Sequence, residues 1–486
     1  MNPYFILLSV LLPFIGSIVL LAKPFEENRM VRQVYTFVLV LINTVIVYML
    51  LLNRPEEAIT LFKFTGNLAV VLKIDGLSCI FAGIISTLWP LATLYGFEYM
   101  EHEKYVNVFF MFYTMTYGVT AGIAFAGNLL TLYFFYELLT LVTVPLVMIT
   151  LTREAIQASR KYLYYSLGGA AFAFIGLIFI MTYAGTTDFQ LGGLLSSFNG
   201  NENILYFIYV LAFCGFGVKA AIFPFSGWLP TASVAPTPVT ALLHAVAVVK
   251  AGAFAIIRLT YYCYGVDFLR GSWAQYTVMA ITLITILYGS SMALKERHIK
   301  RRLAYSTISN LSYILFGVTI MTPLGLCGAL LHMVFHAFTK IEAFFAAGAI
   351  MHRAKKDYIF EINGLAKRMP VTFFAFTISA FSLIGVPLLP VFISKWYLAK
   401  AAFETTAIFP KVGVFVLAFS AFLTAIYMLS FAIRAIFVPQ KEGEASDNCD
   451  PGICMKLPFI LLVIAMFALG IHAQPLINFI SSVVGL

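Results

Sequence analysis

The sequence predicts an all-α polytopic membrane protein of about fourteen transmembrane helices. Three observations lead there. Of 486 residues, 61% are hydrophobic and only 11% are charged, a balance that a soluble core does not need. Apolar runs of about 20 residues, long enough to cross the hydrocarbon of a bilayer, recur along the whole chain. Lys and Arg gather in alternate loops, as they do when those loops face the cytoplasm.

The runs lie at about 3–22, 32–52, 76–97, 106–126, 129–150, 161–184, 203–223, 238–261, 273–294, 303–321, 324–350, 370–398, 412–437 and 457–480. Met1–Ala22 has no basic start and continues at full spanning length, so it is expected to be the first helix and not a cleaved signal. Loops after odd-numbered runs hold Lys23, Arg29, Arg32, Lys104, Arg153, Arg160, Lys161, Lys295, Arg297, Lys300, Arg301, Arg302, Arg353, Lys355, Lys356, Lys367, Arg368, Lys441 and Lys456. Those after even-numbered runs hold only Arg54, Lys63, Lys73, Arg270, Lys400 and Lys411. This asymmetry predicts a multi-pass protein of the cell membrane with both termini outside the cytoplasm.

The net charge of +9 then belongs to cytoplasmic loops facing membrane lipid, and no nucleic-acid partner is expected. The six cysteines mostly lie in apolar runs, and Cys449 and Cys454 share a loop without metal-ligand spacing. There is no nucleotide loop, CxxC pair or GxGxxG after a strand, and the loops are too short for a sizeable domain. No cofactor, metal or redox centre is expected in this chain. Any work it does draws on an ion gradient or on partner proteins.

The stretch Gly215–Gly252 carries the centre of the predicted chemistry. Lys219 stands in an apolar run that Pro224 breaks, and His244 and Lys250 follow in the next run. A lysine at membrane depth costs roughly 2.5–3.5 kcal/mol on insertion scales, so it is expected to face protein or a wet cavity. A broken helix is tolerated there only where its freed backbone groups line a cavity or are buried.

Glu137 falls mid-span in NLLTLYFFYELLTLVTVPLVMI and is the natural partner for Lys219. A structural carboxylate hydrogen-bonded to a neighbour is the plain alternative. A separable Glu–Lys pair would let the lysine release and rebind a proton, a task suited to a side chain whose proton affinity responds readily to its surroundings. His332, His336 and Lys340 are spaced i, i+4, i+8 and stack on one helix face. They suit a proton wire. Haem or metal ligation and ordinary core packing are the alternatives, although a haem pair ordinarily needs histidines facing each other across a bundle. Lys395 follows a second broken run with Pro387 and Pro390, an imperfect echo of the first, since Lys219 precedes its proline. Ser306, Thr307, Ser309, Asn310 and Ser312 make the tenth run polar enough to carry water. Arg258 and Arg434 sit near run ends and are expected to snorkel as anchors.

At these residues the chain resembles the antiporter-like, ion-translocating subunits shared by NADH:quinone oxidoreductases, Mrp-type sodium/proton antiporters and membrane-bound hydrogenases. The resemblance runs from about Asp75 to Arg434 and rests on VKAAIFPFSGWLP, APTPVTALLHAVAVVKAG, IKRRLAYSTISNLSYI, HMVFHAFTKIEAFFAAG and GVPLLPVFISKW, in that order. It implies a fourteen-helix fold with two inverted five-helix repeats, spans 4–8 and 9–13, each with a broken helix. The segments would be 1–104 (spans 1–3), 105–262 (first repeat), 263–438 (second repeat) and 439–486 (last loop and span). The resemblance also carries over a relay: Glu137 modulating Lys219, His244 and Lys250 beyond it, His332, His336 and Lys340 as a connection, and Lys395 as the terminal residue. Thr231 stands where many relatives have an acidic or amide residue, so no loop role is carried over to it. Lys395 replaces the glutamate of some paralogues. The expected absence of a long amphipathic tail helix and the FISKW ending look closer to the Mrp and hydrogenase-type members.

The implied function is proton translocation, or sodium/proton translocation, within a respiratory oxidoreductase, a membrane-bound hydrogenase or an Mrp antiporter. The partners would be other membrane subunits, with iron–sulfur or nickel redox subunits in the oxidoreductase and hydrogenase cases. A proton-coupled carbon-dioxide uptake complex uses similar subunits. The alternatives from other classes are an independent solute transporter and an electron-carrying membrane protein.

Overall fold

The computed structural model describes residues 2–66, 68–195, 198, 200–440 and 447–486. Lys441, counted above among the loop charges, lies outside the described residues, as does part of the last loop. In chain order the principal helices are α1 (Tyr4–Ile18), α2 (Arg29–Asn53), α3 (Gly76–Tyr99), α4 (Val106–Ala124), α5 (Leu129–Val147), α6 (Arg153–Ala184), α7 (Glu202–Gly217), α8 (Thr237–Ala245) and α9 (Val248–Ile257). There follow α10 (Trp273–Lys295), α11 (Ile299–Thr319), α12 (Pro323–Ala349), α13 (Pro370–Ile384), α14 (Pro390–Glu404), α15 (Ile408–Phe437), α16 (Ile453–Ile471) and α17 (Gln474–Val484).

Among the described residues, 11 helical segments are long and apolar enough to cross a membrane, so the chain is a multi-pass membrane protein. They differ from the fourteen expected runs for physical reasons. The seventh and twelfth runs are divided by backbone breaks, which leaves α7 and α13 as shorter apolar helices. The tenth run is α11, helical over 21 residues but carrying Lys300, Arg301 and Arg302 in its first turn and polar residues along its length. The fourteenth run counts among the 11 through α16, with α17 as a further short apolar helix.

Among the described residues, one loop forms a β-sheet. The loop after α2 forms an antiparallel hairpin of β1 (Ile59–Thr65) and β2 (Leu68–Leu72), a local addition to the helical architecture that the sequence predicts. Its β-branched and aromatic residues favour extended backbone, and Gly66 sits at φ 51°, where L side chains are strained. Asn128 donates to the Ala69 carbonyl, and the Val71 amide donates to Thr131 Oγ1, so the hairpin is tied to the start of α5. Asn128 also caps α5 by accepting from the Thr131 amide.

The contacts divide the chain into two compact units. The first comprises Met1–Pro90, Glu103–Trp228 and Ala247–Ile281, and the second Leu91–His102, Leu229–Val246 and Thr282–Leu486. In the first, α4 packs on α1 and α5, and α6 packs on α5 and α7. In the second, α12 is the hub, with α8, α11, α13, α14, α16 and α17 laid against it. Its run of Gly325, Gly328, Ala337, Ala343, Ala346, Ala347 and Gly348 allows that close approach, and every residue from Gly325 to Ala349 is buried.

Three interruptions shape the chemistry. After α7 the backbone turns at Ala221, held at φ 57°, and continues through a cis Phe223–Pro224 peptide. The Trp228 indole donates to the Val218 carbonyl at 2.8 Å and so serves part of the freed backbone. Between α13 and α14, Gly385 (φ 96°) and Leu388 (φ 72°) take left-handed conformations before Pro390 starts the next helix. The third interruption divides the eighth expected run between α8 and α9. Ala247 lies at φ −89°, ψ −83°, outside helical geometry. Val246, Val248 and Val249 are β-branched and weaken helix there.

Candidate functional site

In the first unit, the break after α7 leaves Lys219 fully buried. Its ammonium donates to the Tyr136 carbonyl of α5 and lies 3.4 Å from the centre of the Tyr136 ring. Both contacts favour a cation. Tyr136 in turn donates through its hydroxyl to the Phe216 carbonyl, which ties α5 to α7 beside the break. Glu137 is the next residue on α5. It and Lys219 are near enough to feel each other's charge. They make no direct ion pair, and Glu137 Oε1 is buried without a hydrogen-bond partner. The pair expected from sequence is therefore present in a separated arrangement, with the lysine held by Tyr136.

Lys250 is fully buried on α9. Two residues further on, a Cβ at Gly252 would lie 2.5 Å from the Ala220 nitrogen and 2.9 Å from the Lys219 carbonyl carbon. The missing side chain is what lets α9 lie directly on the Lys219 backbone.

The second unit holds the other expected residues. His244 is fully buried on α8, its ring 4.8 Å from that of Phe344 on α12. Lys340 donates to Ser306 Oγ on α11 at 2.8 Å, and the Tyr427 hydroxyl donates to the same oxygen at 2.8 Å. The rings of His332 and His336 stack at 5.9 Å, one helical turn apart on the face that carries Lys340. His332 Nδ1 meets Ser394 Oγ at 2.9 Å, and its ring lies 5.3 Å from Tyr313. The Lys395 ammonium is 5.3 Å from the same Tyr313 ring. It donates to the carbonyls of Leu383 and Ile384 at 2.8 and 2.9 Å, at the C-terminus of α13. A cation there meets both unsatisfied carbonyls and the negative end of the helix dipole. The structure thus places buried Lys340, His336 and His332 and half-buried Lys395 along one file of polar groups. Ser306, noted in the sequence for its polarity, belongs to it. Among the described residues, no group of three or more His, Cys, Asp or Glu side chains is arranged to hold a metal ion.

Comparison with known proteins bears on this arrangement. The NADH:quinone oxidoreductase/Mrp antiporter transmembrane family matches residues 126–424, more than half the chain. The chain belongs to that family. Among curated relatives, it is 32% identical to a probable K(+)/H(+) antiporter component of Rhizobium meliloti (strain 1021), over 83% of this chain and 40% of that protein. It is 30% identical to NADH-quinone oxidoreductase subunit N of Desulforudis audaxviator (strain MP104C), over 84% of this chain and 83% of that one. The chain therefore spans well under half of the Rhizobium relative. A solved Mrp complex from Dietzia sp. DQ12-45-1b contains a chain of the same fold, with a TM-score of 0.86 at 22% identity, covering 100% of this chain and 97% of that chain.

Within this family member, sequence reading missed several residues that the structure brings forward. Tyr136 is Lys219's immediate partner and is indistinguishable by type from the other aromatics of its run. Arg258 does not snorkel. It is 1% exposed and forms a bidentate pair with Asp75 at 2.5 and 2.8 Å, flanked by the rings of Phe189, Phe254 and Tyr262. Arg434, by contrast, is exposed as an anchor should be. Glu342, two residues beyond Lys340, is fully buried. Its signal was available, because an acid in an apolar run is as costly as a base.

Proposed function

We propose that the chain is a proton-translocating, antiporter-like subunit of a multisubunit complex of the cell membrane. Lys219 carries the reading. It is a buried lysine at a helix break, with two alternative partners, the Tyr136 carbonyl and ring or the Glu137 carboxylate. With Glu137 as partner the ammonium keeps its proton. With Tyr136 alone as partner the ammonium is held less strongly than by a carboxylate, so it can hand the proton on and be recharged. Lys250 and His244 continue the relay, and Lys340, His336, His332 and Lys395 form its exit file. Fourteen spans are proposed, with spans 4–8 and 9–13 as inverted repeats over residues 105–262 and 263–438. The two breaks that each carry a lysine support this arrangement. The charged loops support termini outside the cytoplasm. The partners are other membrane subunits, and iron–sulfur or nickel redox subunits join them if the complex is an oxidoreductase or hydrogenase.

The test is purification of the tagged chain from its native membrane, identification of what accompanies it, and reconstitution into vesicles with a pH-sensitive dye. Co-purifying membrane subunits and proton movement driven by a cation gradient or a redox reaction are expected. A chain that purifies alone and moves an organic solute contradicts the proposal.

A further inference from the structure

Glu342 has no part in the relay above. It lies on α12, the hub of the second unit, is 0% exposed, and neither carboxyl oxygen has a hydrogen-bond partner. Other carboxylates of this chain are provided for. Asp75 takes Arg258 and Ser78, Asp450 takes the amides of Val371 and Thr372 with the Thr372 hydroxyl, and half-buried Glu98 takes the amides of Gly452 and Met455. Those are structural carboxylates with satisfied oxygens. Glu342 shares its unsatisfied state with Glu137 Oε1.

The two-residue offset from Lys340 sends Glu342 to a different face of α12. One turn on, the Phe345 ring stacks on Tyr95 at 4.1 Å, and the Tyr95 hydroxyl donates to the Phe345 carbonyl at 2.9 Å. Glu342 is close enough for its charge to be felt at that hydroxyl. Tyr95 stacks on Tyr99 at 5.9 Å, and Thr237 donates through Oγ1 to the Tyr99 hydroxyl at 3.2 Å. Gly348 makes this approach possible, since a Cβ there would lie 2.4 Å from Tyr95 Oη and 2.3 Å from Thr237 Cγ2. Tyr99 is half-buried, follows Glu98 in sequence and lies 5.0 Å from the His352 ring. Hydroxyls that can both give and accept a proton thus line this side of α12 between its half-buried end and a carboxyl that no protein group holds.

We propose that Glu342 is a proton-storing carboxyl of the second unit, filled and emptied through the hydroxyls of Tyr99, Thr237 and Tyr95. One proton from hydronium, which is left as water, adds to a carboxylate oxygen of Glu342. The O–H bond formed there breaks when the proton is returned to a hydroxyl or water of the same route. This assignment rests on the proposed transport function and adds to it a second acid, placed where Glu137 has no counterpart in the relay.

The test measures proton transport by the whole complex in native membrane vesicles, at matched assembly levels. E342Q should lower the rate by about tenfold or more, short of the roughly hundredfold loss of an essential acid–base group, and E342D should restore part of it. Tyr95→Phe keeps the stack on Phe345 but removes the hydroxyl, and should slow transport several-fold. A normal rate there overturns the route. A normal rate for E342Q beside an inactive Lys219→Ala overturns the Glu342 assignment alone, whereas full activity in Lys219→Ala overturns the transport reading beneath it. Should E342Q fail to assemble, treatment of the wild-type complex with dicyclohexylcarbodiimide decides the matter. A labelled Glu342 peptide with matching loss of transport supports the proposal. An unlabelled Glu342, or a labelled one with transport intact, overturns it.

Discussion

Lys219 in the first unit and Lys395 in the second stand at comparable helix breaks, yet their charges are met differently. Lys395 caps the carbonyls of Leu383 and Ile384 at the end of α13. Those dipoles are fixed and always present. Lys219 lies on the Tyr136 carbonyl and ring with the Glu137 carboxylate close by but unengaged. A carboxylate carries a charge that a proton can neutralise, and a backbone carbonyl has no such charge to lose. On the proposed transport function, this difference assigns control of proton transfer to the first unit and a conducting file with a fixed terminal site to the second.

The largest expected effect breaks this difference. Glu137→Gln keeps the shape of the side chain but removes its charge, leaving Lys219 with fixed partners only, as Lys395 already is. Transport in vesicles should then fall by about a hundredfold, the lower range for loss of an essential acid–base group. A Glu137→Gln complex with a near-normal rate would erase the distinction between the units.

A smaller effect is expected in the file. His332→Ala removes a ring bonded to Ser394 and stacked on His336, and His336→Ala removes the link toward Lys340. Each should slow transport several-fold without loss of assembly, because water can partly replace a relay imidazole in a polar file. Normal rates in both variants would make the histidines core residues.

The smallest effect on transport, and the clearest on stability, is expected at Asp75. Burial pushes its carboxyl up, but the charge and hydrogen bonds of Arg258 outweigh that and hold it at about 2. A depressed carboxyl stabilises the fold above its unfolded value of about 3.9. That contribution is lost as pH falls through about 2. Asp75→Asn should cost roughly 3 kcal/mol, the low end for breaking a buried pair, since the Asp75 side chain keeps 32% exposure. Thermal unfolding in detergent should show a lower Tm for the variant, and its stability should lose the steep acid dependence of the wild type. An unchanged Tm would remove Arg258–Asp75 as a structural lock.

Much of this was legible in the sequence because a bilayer makes ionisable residues conspicuous. Glu137, Lys219, His244, Lys250, His332, His336, Lys340 and Lys395 each interrupt an apolar run, and the i, i+4, i+8 spacing of three of them survives as a real helix face. What escaped depends on distant partners or local backbone. Arg258 looked like an anchor because Asp75, 183 residues away, is not part of its local pattern. The interruption at Ala247 has no proline to announce it, only valines whose helix penalty is slight. Tyr136 became informative only when the break brought Lys219 onto its ring.

The most direct test of the central claim is proton-coupled transport by Lys219→Arg, measured in vesicles at matched assembly levels. Arginine keeps the positive charge for Glu137 and Tyr136 but cannot release its proton. The account predicts that transport is lost as completely as in Lys219→Ala. Near-normal transport by Lys219→Arg would show that Lys219 serves as a fixed charge and would contradict its role as the proton carrier.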